Sequence, residues 1–364
     1  MIETGRINKS QVSFIMLPTT IATAILSIPS IDAKLAGHDM WMTPIIGSLN
    51  GFLTVFIVWK LHKLYPNQTP IQYFEKIIGK YAGKLMGLIF VLFYIQVSGI
   101  IIREYTDFLK TEVMPQTPGI VLAISLLFTA ALAVRGGLEV IARTAVICTT
   151  LYMSTLSVLL LLIKDIDLSY LLPFMENGFI PVLKGAFVHQ SWFSEFFLLA
   201  FLLPFLKNQN GSLKTGIKTV FLVMVDLIIV NFFILTILGM TAANKFYPVY
   251  TIIKSISFLG FFQNFEIAVT ASWVLGSFVK VTVFLYAASI ALAQLFRLNN
   301  YQIIVYPLSL VILHFSYWDI PRFATLTNFI YKVLPFYLVT FQTIIPLLLL
   351  IIALLRKRWG ENFS

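Results

Sequence analysis

Residues 11–37 read QVSFIMLPTTIATAILSIPSIDAKLAG. As a helix the stretch is long enough to cross a hydrocarbon core of about 30 Å. Its middle, however, collects Pro18, Thr19, Thr20, Thr23, Ser27 and Pro29 where a lipid-facing helix would be most apolar. Proline removes an amide donor and β-branched threonines weaken a helix, so the stretch is predicted to unwind near its centre, around Thr19, Thr20, Thr23 and Ala24. Unwound backbone survives at membrane depth only inside protein or beside a cavity. A bundle of membrane helices with an interior site is therefore expected.

Composition agrees. The chain of 364 residues is 59% hydrophobic and 12% charged, with a mean hydropathy of +0.88; soluble domains carry roughly 25% charged residues. Apolar runs recur throughout, too long and continuous for barrel strands. They predict an all-α polytopic membrane protein with ten spans, at 11–37, 41–62, 83–110, 118–134, 138–163, 183–206, 215–240, 263–297, 301–318 and 331–355. Residues 69–84 and 167–183 mix apolar, charged and turn residues, and are predicted to lie along the interface. No polar run is long enough for a soluble domain, so residues 1–364 are expected to form one membrane domain, with the first helix retained rather than cleaved as a signal.

The net charge of +10 does not point to nucleic acid, because the basic residues sit in short loops rather than on one face. With the N-terminus inside, sixteen Lys and Arg fall in inside loops and nine outside, Arg322 among the latter, while Lys280 lies within a span. The bias predicts both termini in the cytoplasm. Cys148 is the single cysteine, and the four histidines lack metal-ligand spacing, so no metal and no cofactor is expected.

A second interruption lies in the sixth span, where residues 188–195 read VHQSWFSE. Interruptions in the first and sixth of ten spans are the pattern of a five-plus-five inverted repeat with a small-molecule site at midplane. Within it Trp192 and Phe193 are either aromatic gates or packing. Glu195 either caps free amides beyond the break or gates the site. Lys280, inside VLGSFVKVTVFLY (274–286), lies too far from either end to snorkel and must face a cavity or a carboxylate. Asp226, in the seventh span, either pairs with Lys280, pairs with the partners of Glu195, or stands protonated and hydrogen-bonded. Arg103, Glu104 and Asp107 are expected to form a solvated interface cluster with no site role.

Three stretches carry a family resemblance: Gln11 with residues 24–29 and 36–39, Phe193-Ser194-Glu195 with Pro204, and Asn264-Phe265-Glu266 followed by Trp273 and Lys280. In order and spacing they resemble the B subunits of bacterial spore germinant receptors, a branch of the amino acid–polyamine–organocation transporter superfamily with a LeuT-like fold. Thr23-Ala24 stands where many relatives carry glycines, and Asn264 where they often carry arginine. The resemblance implies that Phe93, Val97 and Lys280 face the ligand site and that Glu266 is a structural or gating charge. It further implies a nutrient sensor of the inner spore membrane, binding a germinant such as an amino acid and working with a membrane-embedded A subunit and a lipoprotein C subunit.

The inverted repeat by itself favours a secondary transporter of amino acids or amines, the competing function. The sequence carries no Ser-His-Asp order, HExxH, P-loop or paired-carboxylate motif, so an enzyme is not expected.

Overall fold

The computed structural model describes residues 3–256, 265–318 and 323–358. The expectations placed on Asn264 and Arg322 lie outside the described residues. Helix α1 spans Lys9–Ala36 with Pro18 and Pro29 inside it, so the unwinding expected of the first span does not occur. The reason is local repair. Pro18 has no amide proton for the carbonyl of Phe14 four residues earlier, and Thr149 supplies one instead: its Oγ1 donates to Phe14 O at 2.6 Å. Thr19 and Thr20 satisfy their own hydroxyls on Ile15 O (2.7 Å) and Met16 O (3.3 Å) and leave the helix intact.

Helix α2 is Thr43–Leu64 and α3 is Pro70–Ile78. As its amphipathic sequence predicts, α3 buries Ile71, Tyr73, Phe74 and Ile77 and exposes Gln72 and Lys76. Helix α4, Lys80–Phe108, begins earlier than expected and ends in a π turn, Leu109–Val113. Helices α5 (Gly119–Arg135) and α6 (Leu138–Ser154) follow, the latter tightening to 3₁₀ over Thr155–Asp165. After a short turn, Leu168–Leu171, α7 runs Phe179–Ser194 and so absorbs the end of the second expected interfacial stretch. The interruption predicted over residues 188–195 falls later, since residues 188–194 stay α-helical: it is a 3₁₀ segment Glu195–Leu198, one turn of helix α8 (Leu199–Leu202), then 3₁₀ again over Leu203–Phe205. Helices α9 (Ser212–Leu238), α10 (Pro248–Lys254), α11 (Phe265–Leu295), α12 (Val305–Trp318) and α13 (Phe323–Lys332) complete most of the second half. A final span comprises α14 (Leu334–Val339), a π turn (Thr340–Ile344) and α15 (Ile345–Arg358).

Seven helical stretches among the described residues are long and apolar enough to cross a membrane, the first of them holding both α1 and α2, and α5 and α12 are shorter apolar helices. Helix α1 packs on α7, α2 on α9, α4 on α11 and α5 on α12, so helices of the first half meet those the inverted repeat makes their counterparts. Large apolar side chains such as Leu49, Leu92, Phe128, Ile147 and Leu310 stay exposed. In water such a surface would drive association; in lipid it is the solvated face. At the end predicted to face the cytoplasm the chain is tied shut. Ile7 pairs with the 205–207 strand-like turn (Ile7 N to Phe205 O 3.1 Å, Lys207 N to Ile7 O 3.0 Å), and Glu3 accepts from Leu138 N at 3.1 Å and Tyr301 Oη at 2.8 Å.

Candidate functional site

Lys280 is fully buried at the middle of α11. An ammonium offers three protons and accepts nothing, and in lipid each needs an acceptor. All three find one: Nζ lies 2.8 Å from Glu195 Oε1, 2.8 Å from Glu195 Oε2 and 2.8 Å from Thr23 Oγ1. Thr23 also accepts from Trp192 Nε1 at 2.8 Å, which fills both lone pairs of its hydroxyl. Four of the residues singled out in the sequence thus meet in one network joining α1, the end of α7 and α11.

Glu195 stands where α7 gives way to 3₁₀ turns. The serines before it favour that tightening: Ser191 Oγ donates to Val188 O and Ser194 Oγ to Ser191 O, both at 2.5 Å and both three residues back. Each oxygen of Glu195 accepts from Lys280.

One helical turn from Thr23, Ser27 Oγ donates to Glu104 Oε1 at 2.9 Å. Glu104 is only 5% exposed, and Arg103 pairs with Asp107 at 2.8 Å with both side chains mostly covered. The solvated cluster expected here is thus corrected to a buried one. The last turns of α4 lie beneath Tyr247 and α13, which together with α1 enclose a cavity with about 40 Å³ of room for water. Ser27, Ile31, Glu104, Tyr247, Leu326 and Ile330 line it, with Lys34 at its rim.

Other expected site residues lie apart from this network. Phe93 stacks on Phe341 at 4.6 Å and 10° and touches Tyr337, Phe90 and Tyr94, an aromatic cluster between α4 and the last span. Val97 and Ala24 are buried, and Phe193 packs where α2 presents Gly51. Asp226 pairs neither with Lys280 nor with the partners of Glu195: both its oxygens are buried without a hydrogen bond from any described residue. Glu266 lies in the first turn of α11, fourteen residues before Lys280 and so about 21 Å away along the axis.

A second polar centre was not marked by the sequence. Asp32, fully buried near the end of α1, accepts at Oδ2 from Thr43 Oγ1 (2.8 Å) and Asn231 Nδ2 (2.9 Å) and faces His189 Nε2 at 2.5 Å. Residues of α2, α7 and α9 thereby converge on one carboxylate. Close approach makes this possible: a Cβ on Gly47 would stand 2.5 Å from that of His189. The nearest signal in the sequence was the polar run around His189; Asp32 gave none, being near the predicted end of its span.

Compared with known proteins, the chain matches over residues 6–324 the family described as spore germination protein. Spore germination protein KB of Bacillus subtilis (strain 168) is 25% identical over 370 residues, covering 99% of this chain and 98% of that protein. Spore germination protein YndE of the same organism is 22% identical, covering 81% and 82%. Among solved structures, MhsT in complex with L-phenylalanine superposes with a TM-score of 0.68 at 13% identity, over 96% of this chain and 99% of that one. A Na⁺-coupled sialic acid symporter gives 0.67 at 12% identity, over 93% and 80%. These likenesses establish the LeuT-like transporter fold.

Proposed function

The chain belongs to the spore germination protein family, and from that premise we propose that it is the germinant-sensing B subunit of a spore receptor. It binds a small nutrient at midplane and passes the change to a membrane-embedded A subunit and a lipoprotein C subunit. Its place is the inner spore membrane with both termini in the cytoplasm, and its work is binding rather than catalysis. The observation that carries the reading is the Lys280–Glu195–Thr23–Trp192 network. It ties three helices at the one point where α7 departs from α-helical geometry.

A ligand shifts a conformational equilibrium only by its difference in affinity for the two states. A nutrient whose polar groups compete for Lys280, Glu195 or Thr23 gains that difference by releasing the hinge. The transporter reading keeps one specific observation in its favour, the fold shared with symporters.

Thermal shift of the purified chain with amino acids, sugars and nucleosides, in wild type, Lys280→Ala and Glu195→Gln, tests the proposal. Uptake of any hit into proteoliposomes follows. Stabilisation of wild type but not Lys280→Ala, without accumulation, is the expected result. Accumulation against a gradient would make the protein a transporter instead.

A further inference from the structure

Asp226 lies fourteen residues from the start of α9 and twelve from its end, about 21 Å and about 18 Å along the axis, and so near the middle of the span. Thr219, seven residues earlier on the same face, meets Ser13 at 2.8 Å, which turns that face toward α1. Asp226 is 3% exposed, and neither of its oxygens has a hydrogen-bond partner among the described residues. Within electrostatic reach lies the Tyr152 hydroxyl of α6, itself buried and without a partner among those residues. The Tyr152 ring is seated between α1 and α11: a Cβ on Gly276 would stand 3.0 Å from its Cδ2 and 3.4 Å from the Cβ of Ala22.

Among the described residues no cation pairs with Asp226, since Lys280 is spent on Glu195 and Thr23. On the elements packed against α9, Asp32 of α1 is held by Thr43, Asn231 and His189, and Asp39 of the turn at 37–42 accepts from Met175 N at 3.1 Å. Tyr250 of α10 donates to Glu112 O, His62 stands near the inner end of α2, and Lys164 and Asp165 are exposed beyond α6. An ionised Asp226 would bear its desolvation cost without one donor from the protein, whereas a protonated one is neutral. The surroundings are those of a carboxylic acid.

A route for the proton opens with a change of shape. Ala22, against Tyr152, adjoins Thr23 of the Lys280–Glu195 network. A displacement of α1 that frees the network therefore also parts α1 from Tyr152 and Asp226. Water then takes the proton: the O–H bond breaks and the carboxylate stays on α9.

We propose that Asp226 is a proton-binding site, occupied while α1, α6 and α9 are packed together and vacated when α1 moves away from them. The inference goes beyond the sensor reading and concerns the conformational equilibrium of the chain itself. Because the packed form holds one proton more than the opened form, raising the pH favours opening, by up to about tenfold per pH unit while the proton is being lost.

Two measurements on the full chain in detergent test it. Infrared difference spectra of wild type against Asp226→Asn at neutral pH read the carbonyl stretch of a protonated carboxylic acid, expected in wild type and missing in the variant. Cys148, the only cysteine of the chain, is buried on α6 one turn before Tyr152 and reports opening by its rate of labelling with N-ethylmaleimide. The rate in wild type relative to Asp226→Asn is expected to climb with pH by up to about tenfold per unit, the ratio cancelling the titration of the thiol. Asp226→Leu, which carries no polar side-chain atom, is expected to behave as Asp226→Asn does, and melting temperatures report whether both fold.

Absence of the acid band, a labelling ratio that stays flat with pH, or failure of both neutral variants to fold overturns the site. Neither measurement uses a nutrient, so the site falls without the sensor reading, and a nutrient screen that finds no ligand leaves the site standing.

Discussion

The Nζ of Lys280 lies 2.8 Å from each carboxylate oxygen of Glu195, so the charge at the centre of α11 is held by the residue at which α7 tightens into 3₁₀ turns. The two side chains are 0% and 2% exposed. Breaking such a pair from one side strands a charge, which costs about 3–5 kcal/mol, whereas replacing both partners by apolar groups is often nearly neutral. Lys280→Met and Glu195→Leu are each expected to be strongly destabilising and the double variant to recover most of the loss. A double-mutant cycle in detergent unfolding measures the coupling. Additive penalties would show that neither residue depends on the other.

Thr23 is the smallest member of the network but the only one serving two donors, Lys280 and Trp192. Thr23→Val keeps the shape and removes both acceptor sites, leaving two buried donors unpaired at about 1–3 kcal/mol each. Thr23→Ser retains the oxygen and is expected to lose far less. Adding Trp192→Phe should lessen the effect of Thr23→Val, since one of the stranded donors is then gone. An equal loss in Thr23→Ser and Thr23→Val would mean that the methyl group, not the oxygen, matters.

Much of this was legible in the chain because lipid enforces a strict rule. A lysine amid apolar residues must find an anion, and Lys280 finds Glu195, itself flagged as an interior charge. The amphipathic mixture of residues 69–84 likewise marked α3, and the polar run 188–195 marked an interruption that begins at its last residue. What escaped were relations across the chain. Pro18 reads as a break because the hydroxyl that mends it is supplied by Thr149, far away in sequence. Glu104 reads as solvated because nothing local reveals that Tyr247 and α13 fold over it. Phe93 and Val97 came from family likeness alone, and the aromatic stack on Phe341 gives Phe93 a packing role in this conformation.

The Asp32 centre predicts a different kind of sensitivity. Asp32→Ala strands His189, while Thr43 Oγ1 and Asn231 Nδ2 keep the Met40 carbonyl at 2.8 and 3.0 Å, and a loss of about 1–3 kcal/mol is expected, the size of one orphaned polar group. Gly47→Ala should act on the same centre, because the added methyl meets the Cβ of His189 at 2.5 Å, with Ala186 O and Gln190 N each at 3.2 Å. Melting temperatures of the two single variants and their combination distinguish the mechanisms. If Gly47→Ala acts by displacing His189 from Asp32, the combined loss falls short of the sum; full additivity would separate the glycine contact from the polar centre.

Continuity of α1 hangs on the hydroxyl of Thr149, which donates at 2.6 Å to the Phe14 carbonyl that Pro18 leaves without an amide. Thr149→Val therefore exposes a buried backbone oxygen, at a cost near the about 0.6–1.7 kcal/mol measured for hydrogen bonds between membrane helices. Replacing the proline changes the balance. In Pro18→Ala the helix supplies its own amide to Phe14, so Thr149→Val in that background should cost little. A cycle of the four proteins, read by unfolding and by hydrogen exchange over residues 14–22, gives the coupling directly. If Thr149→Val is equally costly with alanine at position 18, the threonine holds α6 against α1 for some reason other than the missing amide. If its cost disappears, the first helix of this fold is kept whole by a bond from the fifth span of the same half.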